Sequence, residues 1–280
     1  MDNYQLTQDQ ITAYGVCLRT EEHTPSTIEK YLRDTRAFAV WLEGRPVTRE
    51  LAAEWRDRLL SSGHKPSTVN SMLAAVNGLF RFLGWGIRVK FLKVQRRLFR
   101  DQSRELTRGE YDLLVNTARA AGKERLALLM EAVCATGVRV SEVKYLTVEA
   151  AQCGRAEIAL KGKIRTILLP NKLCRKLLKY ARKQKIASGE IFLTSSGRSL
   201  SRRQIWAEMK QLCKATGVAS EKVYPHNLRH LFARTFYQAC KDIARLADVL
   251  GHSSIETTRI YLVTTGAEQV RQLDRLGLVS

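Results

Sequence analysis

Six side chains stand in the order Arg139, a lysine of KGK (Lys161 or Lys163), His226, Arg229, His252 and Tyr261. Together their types suit phosphoryl transfer on a phosphodiester without a metal ion. A phenol oxygen can attack phosphorus and hold it covalently. Two guanidinium forks can stabilise the charged oxygens of the pentacoordinate state. A lysine or histidine can protonate the departing sugar oxygen. The phosphotyrosyl link keeps the bond energy, so rejoining needs no ATP. Taken singly, each residue has a plainer reading. Arg139 suits a solvated helix end, the lysines of KGK a soluble turn, and Tyr261 an amphipathic core position beside Ile260 and Leu262. Read as a set, they favour chemistry.

Local sequence says how such residues are presented. In ATGVRVSE (135–142), Arg139 follows Gly137, where one helix ends and the next begins near Ser141. KGK (161–163) is the predicted turn of a β-hairpin between AEIAL (156–160) and IRTILLP (164–170), because alternating and β-branched residues flank a glycine. PHNLRHLFARTF (225–236) starts a helix at Pro225 and buries Leu228, Leu231 and Phe232. His226 and Arg229, three apart, share a face at its N-terminus, where backbone N–H groups and the dipole favour an anion. His230 is expected to point elsewhere, for packing or capping. In LGHSSIETTRIYL (250–262), Gly251 ends a helix in the left-handed conformation and His252 occupies the sharp turn. Ser253 and Glu256 have capping-box spacing, which predicts a new helix with Tyr261 two turns into it.

The whole chain fits a polyanion as partner. Its 280 residues carry 47 Lys and Arg against 27 Asp and Glu, a net charge of +20. Residues 1–100 carry +6 (16 basic, 10 acidic) and residues 101–280 carry +14 (31 basic, 17 acidic), so both parts can face the same nucleic acid. No apolar run reaches the ~20 residues of a membrane helix, and no basic amphipathic helix with Trp and Leu on one face stands out. The N-terminus has no signal-peptide pattern, so a cytoplasmic, nucleoid-associated protein is expected. The 6 cysteines form no CxxC pair and no zinc-ligand spacing, so no metal or other cofactor is expected.

The elements predicted to position the site are mainly α-helical, with one small β-hairpin and a possible short strand at EIFLT (190–194). Helices are expected at about 7–21, 24–42, 48–62 and 65–85, making a compact four-helix domain over residues 1–85. The second and fourth open with Pro-Ser-Thr, where a Ser or Thr is expected to cap the first turn. Residues 86–106 lose the helical period and are rich in Lys and Arg. They read as a basic linker, with Lys90, Lys93, Arg96 and Arg97, and Lys163 on the hairpin, as candidates for contacts to a DNA backbone. Residues 107–280 complete the chain as a second domain.

At these motifs the chain resembles the tyrosine recombinases of the phage-integrase family. ATGVRVSE, HNLRHLFA and LGHSSIETTRIY are similar to that family's three catalytic boxes in order and spacing, and KGK falls where its hairpin lysine sits. The likeness is strong over residues 107 to about 265 and holds in outline over 1–85. The resemblance implies a core-binding helical domain and a catalytic domain. It implies Tyr261 as nucleophile of a 3′-phosphotyrosyl link, Arg139 and Arg229 as the phosphate clamp, and Lys161 as general acid, with Lys163 the alternative. It further implies that His226 assists proton transfer, that His252 bonds a phosphate oxygen, and that Glu142 buttresses Arg139 or the His226 turn.

The partners it implies are double-stranded DNA with specific core sites and a homo-tetramer on two duplexes. The tetramer would pass through a Holliday junction, alone or with accessory DNA-bending proteins. The apolar edge Val270, Leu273, Leu276 and Leu278 then suits a tail that docks on a neighbour or on its own domain. The chain opens directly on the core-binding helices, without the arm-binding domain of many phage members. Two other readings share the residues: a non-catalytic DNA-binding regulator on this scaffold, which has no need of Tyr261, and a type IB topoisomerase. The target sequence leaves no motif, because readout depends on groove contacts and DNA bending.

Overall fold

A computed structural model describes residues 4–94, 102–160, 163–261, 270 and 274–276, with residues 102, 160 and 163 described in backbone alone. The chain divides into two compact units, Met1–Arg96 and Arg97–Ser280. No helix among the described residues is long and apolar enough to cross a membrane.

The first unit holds α1 (Gln8–Thr20), α2 (Pro25–Leu42), α3 (Arg49–Ser61) and α4 (Pro66–Phe82). Thr7 and Gln10 form a reciprocal capping box at α1, and the Thr48 hydroxyl caps α3. The Pro-Ser-Thr openings work differently from the expectation. The N-caps are Thr24 and Lys65, neither makes a side-chain cap bond, and each proline takes the first helical turn. Proline lacks the N–H that would need capping there, and its fixed φ suits the first turn. Phe38 lies at the centre of the core, edge-on to Trp55 (5.0 Å between ring centroids) and Phe80 (5.7 Å).

The start of the basic stretch belongs to this unit. Ile87 and Val89 are buried, while Arg88, Lys90 and Lys93 are exposed. Two asparagines on α4 hold this extended segment as a neighbouring strand would. Asn77 donates to the Val89 carbonyl and accepts its N–H, both at 2.9 Å. Asn70 does the same for Leu92, at 2.9 and 2.8 Å. Arg96 and Arg97 lie outside the described residues.

The second unit runs through a 3-10 turn (Gln102–Arg104), α5 (Arg108–Ala120), α6 (Glu124–Thr136), a 3-10 helix (Val140–Tyr145) and α7 (Val148–Cys153). A hairpin follows, β1 (Arg155–Leu160) and β2 (Lys163–Leu168), and then α8 (Asn171–Lys183) and α9 (Arg202–Thr216). After a 3-10 turn (Ser220–Lys222) come α10 (Pro225–Cys240), α11 (Ile243–Leu250) and α12 (Ile255–Arg259). Helix α6 is apolar on nearly every side, with Leu126 through Met130, Ala132 and Val133 all buried. An all-round apolar helix needs cover on all sides, and α5, α8, α9 and α10 supply it.

The strands are antiparallel, in register from Arg155↔Leu168 to Leu160↔Lys163. Lys163 is therefore a paired residue of β2 and not part of the turn. Ala156, Ile158 and Ile167 face the core, while Ile164 and Leu168 are exposed. The short strand expected at 190–194 does not form; Glu190 and Leu193 make isolated bridges, to Thr147 and Ser199.

Candidate active site

The site is assembled where α6, α10 and α11 end or begin. Gly137 terminates α6 with φ +66°, and a Cβ there would lie 2.5 Å from the Phe232 ring. Both the left-handed backbone and the close approach of α10 require glycine. The chain then turns so that Arg139 caps the 3-10 helix Val140–Tyr145. Its N–H donates to Glu142 Oε2 (2.8 Å), Nη1 to Glu142 Oε1 (2.9 Å) and Nη2 to the Gly251 carbonyl (3.2 Å). The guanidinium is left partly open to solvent, and Glu142 is 2% exposed.

Arg229, also 2% exposed, comes from inside α10. It donates to the carbonyls of Gly137 and Leu250 (the latter at 2.8 Å) and to His252 Nε2 at 3.0 Å. Arg165, from β2, donates to Glu142 Oε2 at 2.5 Å and to the Val249 carbonyl at 3.3 Å. Three successive carbonyls at the end of α11, Val249, Leu250 and Gly251, thus accept from Arg165, Arg229 and Arg139. The last carbonyls of a helix have no partner within it and carry the negative end of the dipole, so they suit guanidinium groups. This is how a cluster of like charges is held together with a single carboxylate, Glu142.

His252 follows Gly251, whose φ of +62° ends α11. An arginine only donates, so the Nε2 facing Arg229 carries the lone pair. The proton then sits on Nδ1, which donates to Thr258 Oγ1 at 2.8 Å. Thr258 is fully buried, and its carbonyl accepts the Tyr261 N–H at 3.0 Å. The cap of α12 is Ser254 and not Ser253, and the helix ends at Arg259. Tyr261 therefore lies just past a short helix, in the turn after it, rather than two turns inside one.

Tyr261 is 3% exposed and rests on Ala233, Leu246 and Leu250. Its ring stacks on His252 (5.9 Å between centroids, 11° between planes) and stands 6.5 Å from His226. His252 in turn accepts from Arg229, and the Tyr261 hydroxyl favours the charged form of that guanidinium. The core position and the polar neighbourhood are thus both real. His230 departs from the expectation: its ring is 4.5 Å from both His226 and Tyr261, edge-on to each. Residues 226 and 230 are four apart, so the helix that aligns His226 with Arg229 aligns His230 with it too.

The structure therefore brings together Arg139, His226, Arg229, His252 and Tyr261, with Glu142 beneath. Lys161 and the side chain of Lys163 lie outside the described residues. Lys90 and Lys93 belong to the other unit.

Residues 104–267 match the phage integrase family, and residues 11–86 match its N-terminal SAM-like domain. The chain belongs to the phage integrase family of tyrosine recombinases. The recombinase is 31% identical to tyrosine recombinase XerC of Roseiflexus castenholzii over 282 residues, covering 90% of this chain and 88% of that one. It is 26% identical to tyrosine recombinase XerA of Pyrococcus furiosus, over 98% and 96% of the two chains. Its fold is that of a lambda integrase solved as a tetramer bound to a Holliday junction (TM-score 0.73, 19% identity, 93% of this chain and 78% of that one).

Electrostatics tunes the recombinase's site. Burial, then Arg229 and Arg139, push the His252 pKa down to about 4, so the ring is neutral at physiological pH. Partial burial, then Arg229, Arg202 and Arg139, lower His226, although the residue as a whole reaches the surface. Burial brings Arg229 down to about 10, with Arg139 adding to the effect and the Tyr261 hydroxyl opposing it. Burial would raise Glu142, but the Arg139 N–H, Arg165 and the Arg139 guanidinium outweigh it and hold it below the usual carboxylate range.

Sequence reasoning missed Arg165, Thr258 and His230. Only His230 carried a usable signal, its spacing of four from His226.

Proposed function

We propose that this recombinase cleaves and rejoins DNA at specific core sites through a 3′-phosphotyrosyl intermediate, without metal or ATP. The observation that carries the reading is that Tyr261 stacks on His252, which accepts from Arg229, while Arg229 and Arg139 bond the successive carbonyls of Leu250 and Gly251. In the cleavage step the Tyr261 oxygen bonds to phosphorus and its proton leaves through His226. The bond from phosphorus to the 5′ oxygen breaks, and that oxygen takes a proton from Lys161, with Lys163 the alternative donor. Arg139 and Arg229 hold the non-bridging oxygens, and His252 donates to one of them once it has turned from Arg229 or taken up a proton. Glu142 fixes Arg139. Ligation runs the same steps backwards, with a 5′-hydroxyl as the nucleophile.

Each arginine acts on charge that develops in the transition state. Its removal is expected to raise the barrier by about 3 kcal/mol or more while leaving most DNA binding intact. Both units carry basic side chains that suit a duplex in the cytoplasm, the first unit including the start of the basic stretch that Asn70 and Asn77 hold. Recombining two duplexes takes four strand cleavages, one per Tyr261, which suits a tetramer that exchanges strands in pairs through a Holliday junction. The tetramer in which lambda integrase was solved supports this reading, and the tail beyond residue 265 is the segment we assign to subunit exchange.

The test is a nicked duplex carrying the mapped core site. Wild type is expected to give an SDS-resistant protein–DNA adduct, in EDTA as well as without it. Tyr261→Phe is expected to bind the DNA and give none. An equal adduct yield from Tyr261→Phe would remove the proposed nucleophile.

A further inference from the structure

The arginine cluster contains one member that the reaction above does not use. Arg165 lies on β2, and its guanidinium crosses from the hairpin to Glu142 Oε2 (2.5 Å) and to the Val249 carbonyl (3.3 Å). Its side chain is 16% exposed. It also lies against Gly251, where an added Cβ would come within 2.4 Å of Arg165 Cδ and 2.5 Å of Nη1. A second bond ties the other strand to the same place: the Tyr145 hydroxyl donates to the Ala159 carbonyl at 2.7 Å.

Both anchors belong to the 3-10 helix Val140–Tyr145, whose cap is Arg139. They land on adjacent rungs of the hairpin, Ile158↔Arg165 and Ala159↔Ile164. One rung further is Leu160↔Lys163, from which the chain leads into Lys161. Arg139 has bonds of its own to Glu142 and Gly251, none of them through Arg165. Removing Arg165 therefore leaves the clamp's own bonds in place and frees β2 from it.

We propose that Arg165 is a positioning residue that holds the β1–β2 hairpin in register with Arg139, so that its loss falls on protonation of the leaving 5′ oxygen. The chemistry rests on the proposed function; the anchoring rests on Arg165 and Tyr145.

The test compares two nicked duplexes that differ in one atom. One has the ordinary 5′ oxygen at the scissile phosphate; the other has sulfur in that bridging position. When the phosphorus–sulfur bond breaks, sulfur keeps the electron pair and departs as a thiolate. A thiol has a pKa near ~8.5, so it leaves without a proton donor. With Arg165→Met, single-turnover adduct formation is expected to fall about 10- to 100-fold on the oxygen substrate, part of the ~10²–10⁴ that a placed proton donor contributes. On the sulfur substrate it is expected to return to within about threefold of wild type, since no proton donor is needed there. Tyr145→Phe, which removes a single hydroxyl, is expected to show the same pattern, several-fold in size, and serves if Arg165→Met folds poorly.

An equal loss on both substrates, for a variant with a wild-type melting curve, overturns the proposal. Lys161→Ala reports separately on the proposed function. If the sulfur substrate rescues Arg165→Met and not Lys161→Ala, the anchoring stands and the acid is another hairpin residue, Lys163. If wild type forms no adduct on either substrate, the proposed cleavage itself fails.

Discussion

Thr258 is fully buried and makes no polar contact that its sequence position advertised, yet the geometry gives it a definite part. Its Oγ1 accepts the His252 Nδ1 proton at 2.8 Å while Arg229 donates to Nε2 at 3.0 Å. Thr258→Val keeps the side chain's shape and removes the acceptor. The Nδ1–H then loses its partner, which for a buried donor costs about 1–3 kcal/mol. The ring can escape by moving its proton to Nε2, but that puts an N–H against the Arg229 guanidinium and removes the bond there. Either way Arg229 and His252 lose their mutual alignment. We expect unfolding free energy to drop by about 1–2 kcal/mol. Adduct formation should slow about tenfold, equivalent to ~1.4 kcal/mol of barrier. Denaturant unfolding of the full chain gives the first number and single-turnover cleavage of the core site gives the second. Thr258→Ser retains the hydroxyl and should stay near wild type in rate. Wild-type stability and rate in Thr258→Val would refute the tautomer argument. So would a Thr258→Ser variant as slow as Thr258→Val, because the missing methyl and not the hydroxyl would then be responsible.

Acid should weaken the protein in a defined window. The folded-state pKa of His252, about 4, lies below the ordinary 6.5, so the unfolded chain binds more protons between those values. The stability this contributes is present above about 6.5 and lost as pH falls toward 4, and the lowered His226 acts in the same direction. Equilibrium unfolding from pH 8 to 4 should show the decline, and a flat profile would count against neutral imidazoles. Gly137→Ala is expected to cost more than about 2 kcal/mol, since it forces a Cβ into the left-handed region and into the Phe232 ring; a melting curve decides it. In the other unit, Asn70→Ala with Asn77→Ala releases the segment carrying Arg88, Lys90 and Lys93. Wild-type binding should fall steeply with salt, with a log–log slope near −7 if about 8 phosphates are contacted, and the double variant should be shallower by about 1 to 2. An unchanged slope would mean that these side chains do not meet phosphates.

Much of the molecule could be read from local chemistry. The helices of the first unit fall within a few residues of their periodic patterns, and the hairpin lies where a glycine turn interrupts alternating residues. The helix ends at Gly137 and Gly251 are legible, and at Gly251 so is the left-handed turn, because few residues but glycine accept that backbone. The order Arg, Lys, His-x-x-Arg, His, Tyr was enough to nominate one reaction. Errors arose where two local signals competed. Pro at the first turn displaced the expected Ser/Thr caps, Ser254 took the cap from Ser253, and the short α12 ended before Tyr261.

Tertiary structure decided what the charges do to one another. Arg139, Arg165 and Arg229 converge because the last carbonyls of α11 lack helical partners and because Glu142 is buried between two of them. That convergence joins residues more than 80 positions apart, and no local pattern encodes it. The neutral His252, the proton on its Nδ1 and the role of Thr258 follow only from contacts made after folding. The residue types written along the chain name the chemistry. Which nitrogen holds the proton, and which arginine is left to steady the hairpin, depends on burial and direction, and these exist only in the folded state.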